Sequence, residues 1–219
     1  MNNMIDHTLL LSTATTSDIE TLCKEAVESH FFSVCVNPCH VKAAYQALEN
    51  TSVKVCTVIG FPLGANTTNT KELETKDAIA NGASEIDMVV NIGHVLEHSY
   101  TKVEEEITAI KEACTPYLLK VIFETCLLTD EEIETLCRIC KKIGVDFVKT
   151  STGFSNGGAT VKAVSLMRKT VGKEIGVKAS GGVRTKELAD AMIEAGANRI
   201  GTSAGVAIVN GTELTGKEY

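Results

Sequence analysis

Apolar residues in this chain fall into two alternating rhythms. Short runs such as "FSVCVN", "VKVCTVIG", "SEIDMVVNIG", "YLLKVIFE", "VDFVKTS", "EIGVKAS" and "NRIGTS" are apolar almost throughout. Each precedes a stretch whose apolar positions recur every three or four residues, the period of a helix with one buried face. These stretches are the Pro-led "PCHVKAAYQALEN", then "NTKELETKDAIANG", "YTKVEEEITAIKEAC", "TDEEIETLCRICKKIG", "GGATVKAVSLMRKTVG", "RTKELADAMIEAGA" and "AGVAIVNG". With "IDHTLL" ahead of "TSDIETLCKEAVESH", the pattern predicts eight strand-then-helix units. Runs such as 55–59 and 86–90 are apolar without alternation, as parallel strands covered on both faces are. Thr129 or Asp130 ahead of Glu132 reads as a capping box, and Gly82, Gly144 and Gly196 stand where helices should stop.

Alternating units of this kind imply a parallel sheet with right-handed crossovers. Eight units either close into a (β/α)8 TIM barrel or wind as an open sheet, and the number favours the barrel. No G-x-G-x-x-G turn follows the first strand, which weighs against an open dinucleotide-binding sheet. The chain has 219 residues, a little short of the barrel's typical length. A single (β/α)8 domain over 1–219 with short loops is therefore expected, with 210–219, "NGTELTGKEY", as a polar tail.

Composition narrows the surroundings. A hydrophobic fraction of 44% supports a substantial core. No run approaches the roughly 20 apolar residues of a membrane helix, so no membrane partner is expected. The N-terminus lacks a basic segment followed by an apolar one, so a cytoplasmic location is expected. A formal net charge of -7 with dispersed Lys and Arg argues against nucleic acid as a partner. Any anion held is small and held locally.

Eight cysteines suggest disulfides until their settings are read: Cys35 and Cys56 lie in strand-like runs, Cys23, Cys137 and Cys140 in helical ones. They read as free thiols in a reducing compartment. The C-x-x-C spacing of Cys137 and Cys140, and the four-residue step from Cys35 to Cys39, raise zinc or redox use. No second such pair and no clustered His accompany them, so neither metal nor cofactor is expected.

In a barrel the reactive groups sit where strands end and βα loops begin. Lys149 and Lys178 close the sixth and seventh strands. Adjacent strands lie about 4.8 Å apart, so two inward-facing lysines there are near neighbours. Desolvation and a like charge both lower an amine pKa, and a neutral amine attacks a carbonyl to form a Schiff base. The same residues also fit a rim pair whose ammoniums reach solvent. Lys54 and Lys120 come early in their strands, well below the mouth at about 3.3 Å per residue, and read as structural or bottom-face charges. Asp87 lies in the middle of the most apolar strand. It either pairs with a lysine and relays protons or holds a buried salt bridge; Glu85 and Asn91 share its parity. Glycine loops follow strands seven and eight, "ASGGVRTKEL" and "RIGTSAGVAI", where a barrel's phosphate site is frequently built, although a Gly-Gly pair is also an ordinary turn. Gly181, Gly182 and Arg184 would form one side of such a site, Gly201 and Ser203 the other. His7, His40, His94 and His98 read as packing or surface residues, and no G-x-S-x-G elbow exists.

At "EIDMVVN", "FVKTSTGF", "GVKASGGVRT" and "RIGTSAG", in that order, and from "IDHTLL" to the C-terminus, the chain resembles the deoxyribose-phosphate aldolases, a class I aldolase family. The resemblance implies a barrel that reversibly joins acetaldehyde to D-glyceraldehyde 3-phosphate, giving 2-deoxy-D-ribose 5-phosphate without a metal, and a homodimer. It implies Lys149 as the Schiff-base lysine, Lys178 as the neighbour that lowers its pKa and shuttles protons, and Asp87 as the acid/base carboxylate. It places phosphate contacts at Gly153, Gly181, Gly182, Val183, Arg184, Gly201, Ser203 and Ala204, and gives Tyr219, on the tail, a part in proton transfer. Three features depart from relatives: Leu11 and Ser12 replace a Lys-Pro pair, Phe154 replaces a lysine, and Ala204 replaces a serine. Other readings of the residues are a transaldolase- or epimerase-like phosphosugar barrel, or a phosphosugar-binding module without catalysis.

Overall fold

Eight parallel strands pair in chain order and close on themselves: β1 (Ile5–Leu9), β2 (Ser33–Val36), β3 (Lys54–Ile59), β4 (Glu85–Val89), β5 (Leu118–Ile122), β6 (Phe147–Lys149), β7 (Gly176–Ser180) and β8 (Arg199–Thr202), with β8 pairing back onto β1. The computed structural model describes residues 1–212 of this (β/α)8 barrel; Tyr219 lies outside the described residues. The helices, α1 (Thr16–Glu28), α2 (Val41–Ala47), α3 (Thr68–Ala80), α4 (Ile92–Leu96), α5 (Tyr100–Cys114), α6 (Asp130–Ile143), α7 (Val161–Val171), α8 (Lys186–Glu194) and α9 (Gly205–Asn210), follow the strands. The units expected from the sequence are present, and α4 adds a short turn of helix between β4 and α5.

Local chemistry fixes the helix ends. Thr129 caps α6: its side chain accepts from the Glu132 N–H while its own N–H donates to the Glu132 carboxylate at 2.7 Å. Three acidic residues in the first turn and two lysines in the last complement the helix dipole, and Gly144 ends the helix at φ 79°. Asn91 accepts from the His94 N–H as the cap of α4, so its parity with Asp87 does not carry it into the site.

The strands sort their side chains by alternation. Outward positions such as Ile5, Ile86, Met88, Leu119, Val121, Val148, Val177 and Ile200 pack with Leu22, Ile107, Leu136, Met167 and Met192 of the helices in one large core. Inward positions are mostly polar. Leu10, Cys35, Cys56 and Val58, with Phe61 against them, form a separate small apolar cluster inside the barrel. The remaining inward space holds charge. Among the buried residues are Asp6, Glu85, Asp87, Lys120, Lys149, Lys178 and Arg199.

Candidate active site

Register brings the charged residues to common levels. Asp87 pairs with Lys120 across β4 and β5, Lys149 with Lys178 across β6 and β7, and Lys178 with Arg199 across β7 and β8. Asp87, fully buried, is the hub. Its Oδ2 accepts from Lys149 Nζ at 2.7 Å and Lys178 Nζ at 2.8 Å, and its Oδ1 accepts from Lys120 Nζ at 2.8 Å and Cys56 Sγ at 3.2 Å. Lys178 Nζ also lies 2.5 Å from Asp6 Oδ2, and Asp6 Oδ1 accepts from Arg199 at 2.6 Å and from Ser33 Oγ at 2.7 Å. Glu85 takes Lys120 at 2.6 Å and Arg199 at 3.1 Å. The Arg199 guanidinium lies 3.5 Å from the centre of the Phe32 ring.

Electrostatics in this space follows from pairing. Burial pushes the Asp87 carboxyl up, but Lys120, Lys149 and Lys178 together hold it well below the usual carboxylate range. Asp6 is likewise lowered, against burial, by Lys178, Lys120 and Arg199. Burial works to discharge Lys178, yet Asp6 and Asp87 raise its pKa above the ordinary lysine value. A simple pair of mutually repelling lysines is thus not what the barrel contains: carboxylates stand between them.

Of the two sequence readings of Lys120, the structural one holds and the bottom-face one does not: its Cα lies two residues below the level of Lys149, and its ammonium reaches Asp87, its register partner on β4. Its pKa stands well above the ordinary value: burial opposes the charge, but Asp87, Cys56, Glu85 and Asp6 outweigh it. Lys54, at the start of β3, is exposed, which fits the bottom-face reading.

At the mouth a pocket has Lys149 at its floor, 3% exposed, and Gly153, Gly181, Gly182, Val183, Arg184, Gly201 and Ser203 around it. Ala204 lies behind this wall, buried, with its N–H donating to Thr202 Oγ1 at 3.0 Å. Two loops approach closely: a side chain at Gly158 would meet the Gly181 carbonyl oxygen at 2.1 Å, and Ala159 N–H donates to that oxygen at 2.9 Å. Phe154, 44% exposed, stacks edge-to-face on Phe61 with ring centres 5.2 Å apart, giving the entrance an apolar side.

Several residues of the site escaped the sequence reading. Asp6 carries the same signal as Asp87, a carboxylate within an apolar strand. Glu124 follows β5 at the catalytic end and adopts a left-handed backbone, φ 58°. Its buried carboxylate accepts from the Thr152 hydroxyl and from the Thr152 N–H at 3.3 Å, while Thr152 Oγ1 accepts from the Phe154 N–H at 3.0 Å. Burial pushes the Glu124 carboxyl up, moderated by Thr152 and by the charge of Lys149.

Cys35, Cys56 and Asp87 bring potential ligand atoms within 4.8 Å of one another, as do Asp6, Cys56 and Glu85. All three carboxylates in these sets are already matched to ammonium or guanidinium groups, so a metal ion there would face several positive charges at contact distance. The arrangement suits an amine reacting with a carbonyl, with an anion held beside the amine and an open nest of glycines above it.

Residues 1–211 match the family model described as DeoC/LacD family aldolase. The chain is 64% identical over its whole length, and the whole of the relative's, to deoxyribose-phosphate aldolase 1 of Vibrio vulnificus. It is 58% identical to the deoxyribose-phosphate aldolase of Brevibacillus brevis, covering all of this chain and 99% of that one. Among solved structures, that of a putative deoxyribose-phosphate aldolase from Coccidioides immitis superposes with a TM-score of 0.93 at 48% identity, over 95% of this chain and 84% of that one.

Proposed function

The chain belongs to the DeoC/LacD family of aldolases, and from that membership we propose that it cleaves and forms 2-deoxy-D-ribose 5-phosphate through a Schiff base on Lys149. The observation that carries the assignment of Lys149 is its place at the pocket floor, on one carboxylate, inside a cluster where four cations face three anions. Loss of one proton neutralises that cluster. Lys178 is held by two carboxylates and Lys120 by Asp87 and Glu85, whereas among the described residues Lys149 has an ion pair with Asp87 alone.

Neutral Lys149 attacks C1 of the open-chain sugar, and loss of water gives an iminium. A base removes the C3 hydroxyl proton, the C2–C3 bond breaks, and its electrons enter the iminium to leave an enamine. Protonation at C2 and hydrolysis release acetaldehyde; D-glyceraldehyde 3-phosphate leaves with the cleaved half. Asp87, kept anionic, and Lys178, kept charged, are the groups that hold and pass protons beside the imine. Gly153, Gly181, Gly182, Val183, Arg184, Gly201 and Ser203 anchor the phosphate, so binding energy remote from the reacting bond orients it. Tyr219, a homodimer and cytoplasmic residence belong to the same reading. A relative from Aeropyrum pernix is described as tetrameric, and among the described residues no helix is long and apolar enough to cross a membrane. Sedimentation of the purified protein tests the dimer.

Borohydride reduction in the presence of acetaldehyde, followed by peptide mapping, tests the mechanism. A two-carbon adduct on Lys149, absent from Lys149→Ala, is expected. An adduct on another lysine, or none on folded protein, would overturn it.

A further inference from the structure

Two thiols inside the barrel take no part in the mechanism above. Cys35 and Cys56 are direct register partners on β2 and β3, both fully buried, and both face the lumen. Adjacent strands lie about 4.8 Å apart, so in-register neighbours fall inside the Cα separation of roughly 4.4–6.8 Å that a disulfide requires. Their sulfurs lie within 4.8 Å of each other. Cys56 is at the same time a ligand of the catalytic cluster: its Sγ donates to Asp87 Oδ1 at 3.2 Å and receives Lys120 Nζ at 3.3 Å.

The two sulfurs are unequal. The Cys35 thiol is lowered, first by the neighbouring Cys56 thiol and then, against burial, by Lys178 and Lys149. Burial, the neighbouring Cys35 and Asp87 push the Cys56 thiol well up. Elsewhere burial raises thiols: Cys137 to about 12 and Cys23 to about 11. A thiolate-prone sulfur beside a protonated partner is the arrangement of an attacking and a resolving cysteine. On the mouth side the pair is covered by Leu10 and Phe61, and Leu10 also lines the substrate pocket. Hydrogen peroxide, with two heavy atoms against acetaldehyde's three, is the smaller molecule, and Leu10 is what separates the substrate pocket from the pair.

We propose that Cys35 and Cys56 form an oxidisable dithiol in the barrel lumen, closed to a disulfide by hydrogen peroxide, and that closure draws Cys56 off Asp87 and slows the aldol reaction. The Cys35 thiolate attacks one peroxide oxygen; the O–O bond breaks, Cys35 becomes a sulfenic acid, and the other oxygen leaves as hydroxide, which takes up the proton Cys35 had released. The Cys56 sulfur then attacks the sulfenic sulfur, the S–O bond breaks, and the hydroxyl departs as water with the Cys56 proton. Two thiols are oxidised to one disulfide and one peroxide is reduced to two waters. The kinetic consequence rests on the role given to Asp87; the linkage does not.

The test uses the full chain, reduced and then treated with hydrogen peroxide, with cleavage of deoxyribose 5-phosphate and non-reducing peptide maps followed together. Cys39 is exposed and lies in the tryptic peptide of Cys35, so the same experiment runs in Cys39→Ser. The expected result is a peptide linking Cys35 to Cys56 that accumulates as activity falls by roughly tenfold or more, the scale of one lost hydrogen bond to a charged group, with recovery on adding dithiothreitol. In Cys56→Ser the linked peptide should be absent, and Cys35 should be found as sulfenic acid after one peroxide has reacted and as sulfinic acid after a second. A fully inactivated protein without the linked peptide, a linked protein of unchanged activity, or a Cys35 that peroxide leaves unoxidised in Cys56→Ser would each overturn the proposal. Borohydride trapping on the untreated protein separates the two ideas: a missing Lys149 adduct refutes the Schiff base and leaves the linkage standing.

Discussion

Asp87 shows why single charges inside this barrel are not interchangeable. It is one anion among three ammoniums, so replacing it leaves buried positive charge unopposed, whereas replacing Lys149 removes the surplus. Asp87→Asn should therefore cost roughly 3–5 kcal/mol of stability, while Lys149→Met should stay within about 1 kcal/mol and still abolish turnover. Guanidinium denaturation of both variants checks the contrast. Glu124 acts at the other side of Lys149. Its carboxylate holds the Thr152 hydroxyl and N–H, and through them the turn that carries Gly153 into the pocket at the barrel mouth. Glu124→Ala should raise KM for deoxyribose 5-phosphate by about tenfold, the worth of one or two hydrogen bonds to a charged group, and change the borohydride adduct with acetaldehyde far less. Glu124→Gln, which still accepts from Thr152, should recover most of the affinity.

The elements were the part most visible in the sequence. Strand runs and helical stretches differ in period, and cues such as Thr129 before Glu132 or Gly144 after Ile143 act on neighbouring backbone, so a one-dimensional reading reaches them. Lys149, Lys178 and Asp87 were legible because a charge in an apolar strand advertises its cost. For Lys120 the sequence left a structural and a bottom-face reading open, because Cα height does not fix the height of an ammonium on a four-carbon arm. Asn91 shares the parity of Asp87, but parity does not show that its side chain is used as a helix cap, and Glu124 ends the run "YLLKVIFE", where a charge reads as the start of a loop. The approach of the loop after β6 to the loop after β7 belongs to no single element and is invisible in either segment. Gly158→Ala tests it: a methyl 2.1 Å from the Gly181 oxygen must push the two loops apart. Affinity for the phosphorylated sugar should fall about tenfold or more, while acetaldehyde still traps on Lys149.

For the whole molecule, the lumen charges set the pH range of stability. Asp6 and Asp87 are lowered below their ordinary 3.8, so the unfolded chain binds protons there that the native barrel does not. Their contribution is complete above that value and is lost as the pH falls below it. Lys120 and Lys178 are raised above 10.5, so theirs is complete below 10.5 and is lost only as the pH climbs through the raised values. The denaturation midpoint should be nearly flat between about pH 5 and 9, fall steeply in acid, and respond little to 1 M salt, because buried pairs are poorly screened. The seam between β8 and β1 gives the same charges a place in time. Arg199 donates to Asp6 across 193 residues of sequence. A chain leaving the ribosome from its N-terminus exposes Asp6 long before Arg199. Until the final strand emerges the carboxylates and lysines of the lumen keep their water, and the barrel has no means of drying its interior. Nascent chains arrested before Arg199 should remain open to protease along their whole length, with protection arriving in one late step rather than unit by unit.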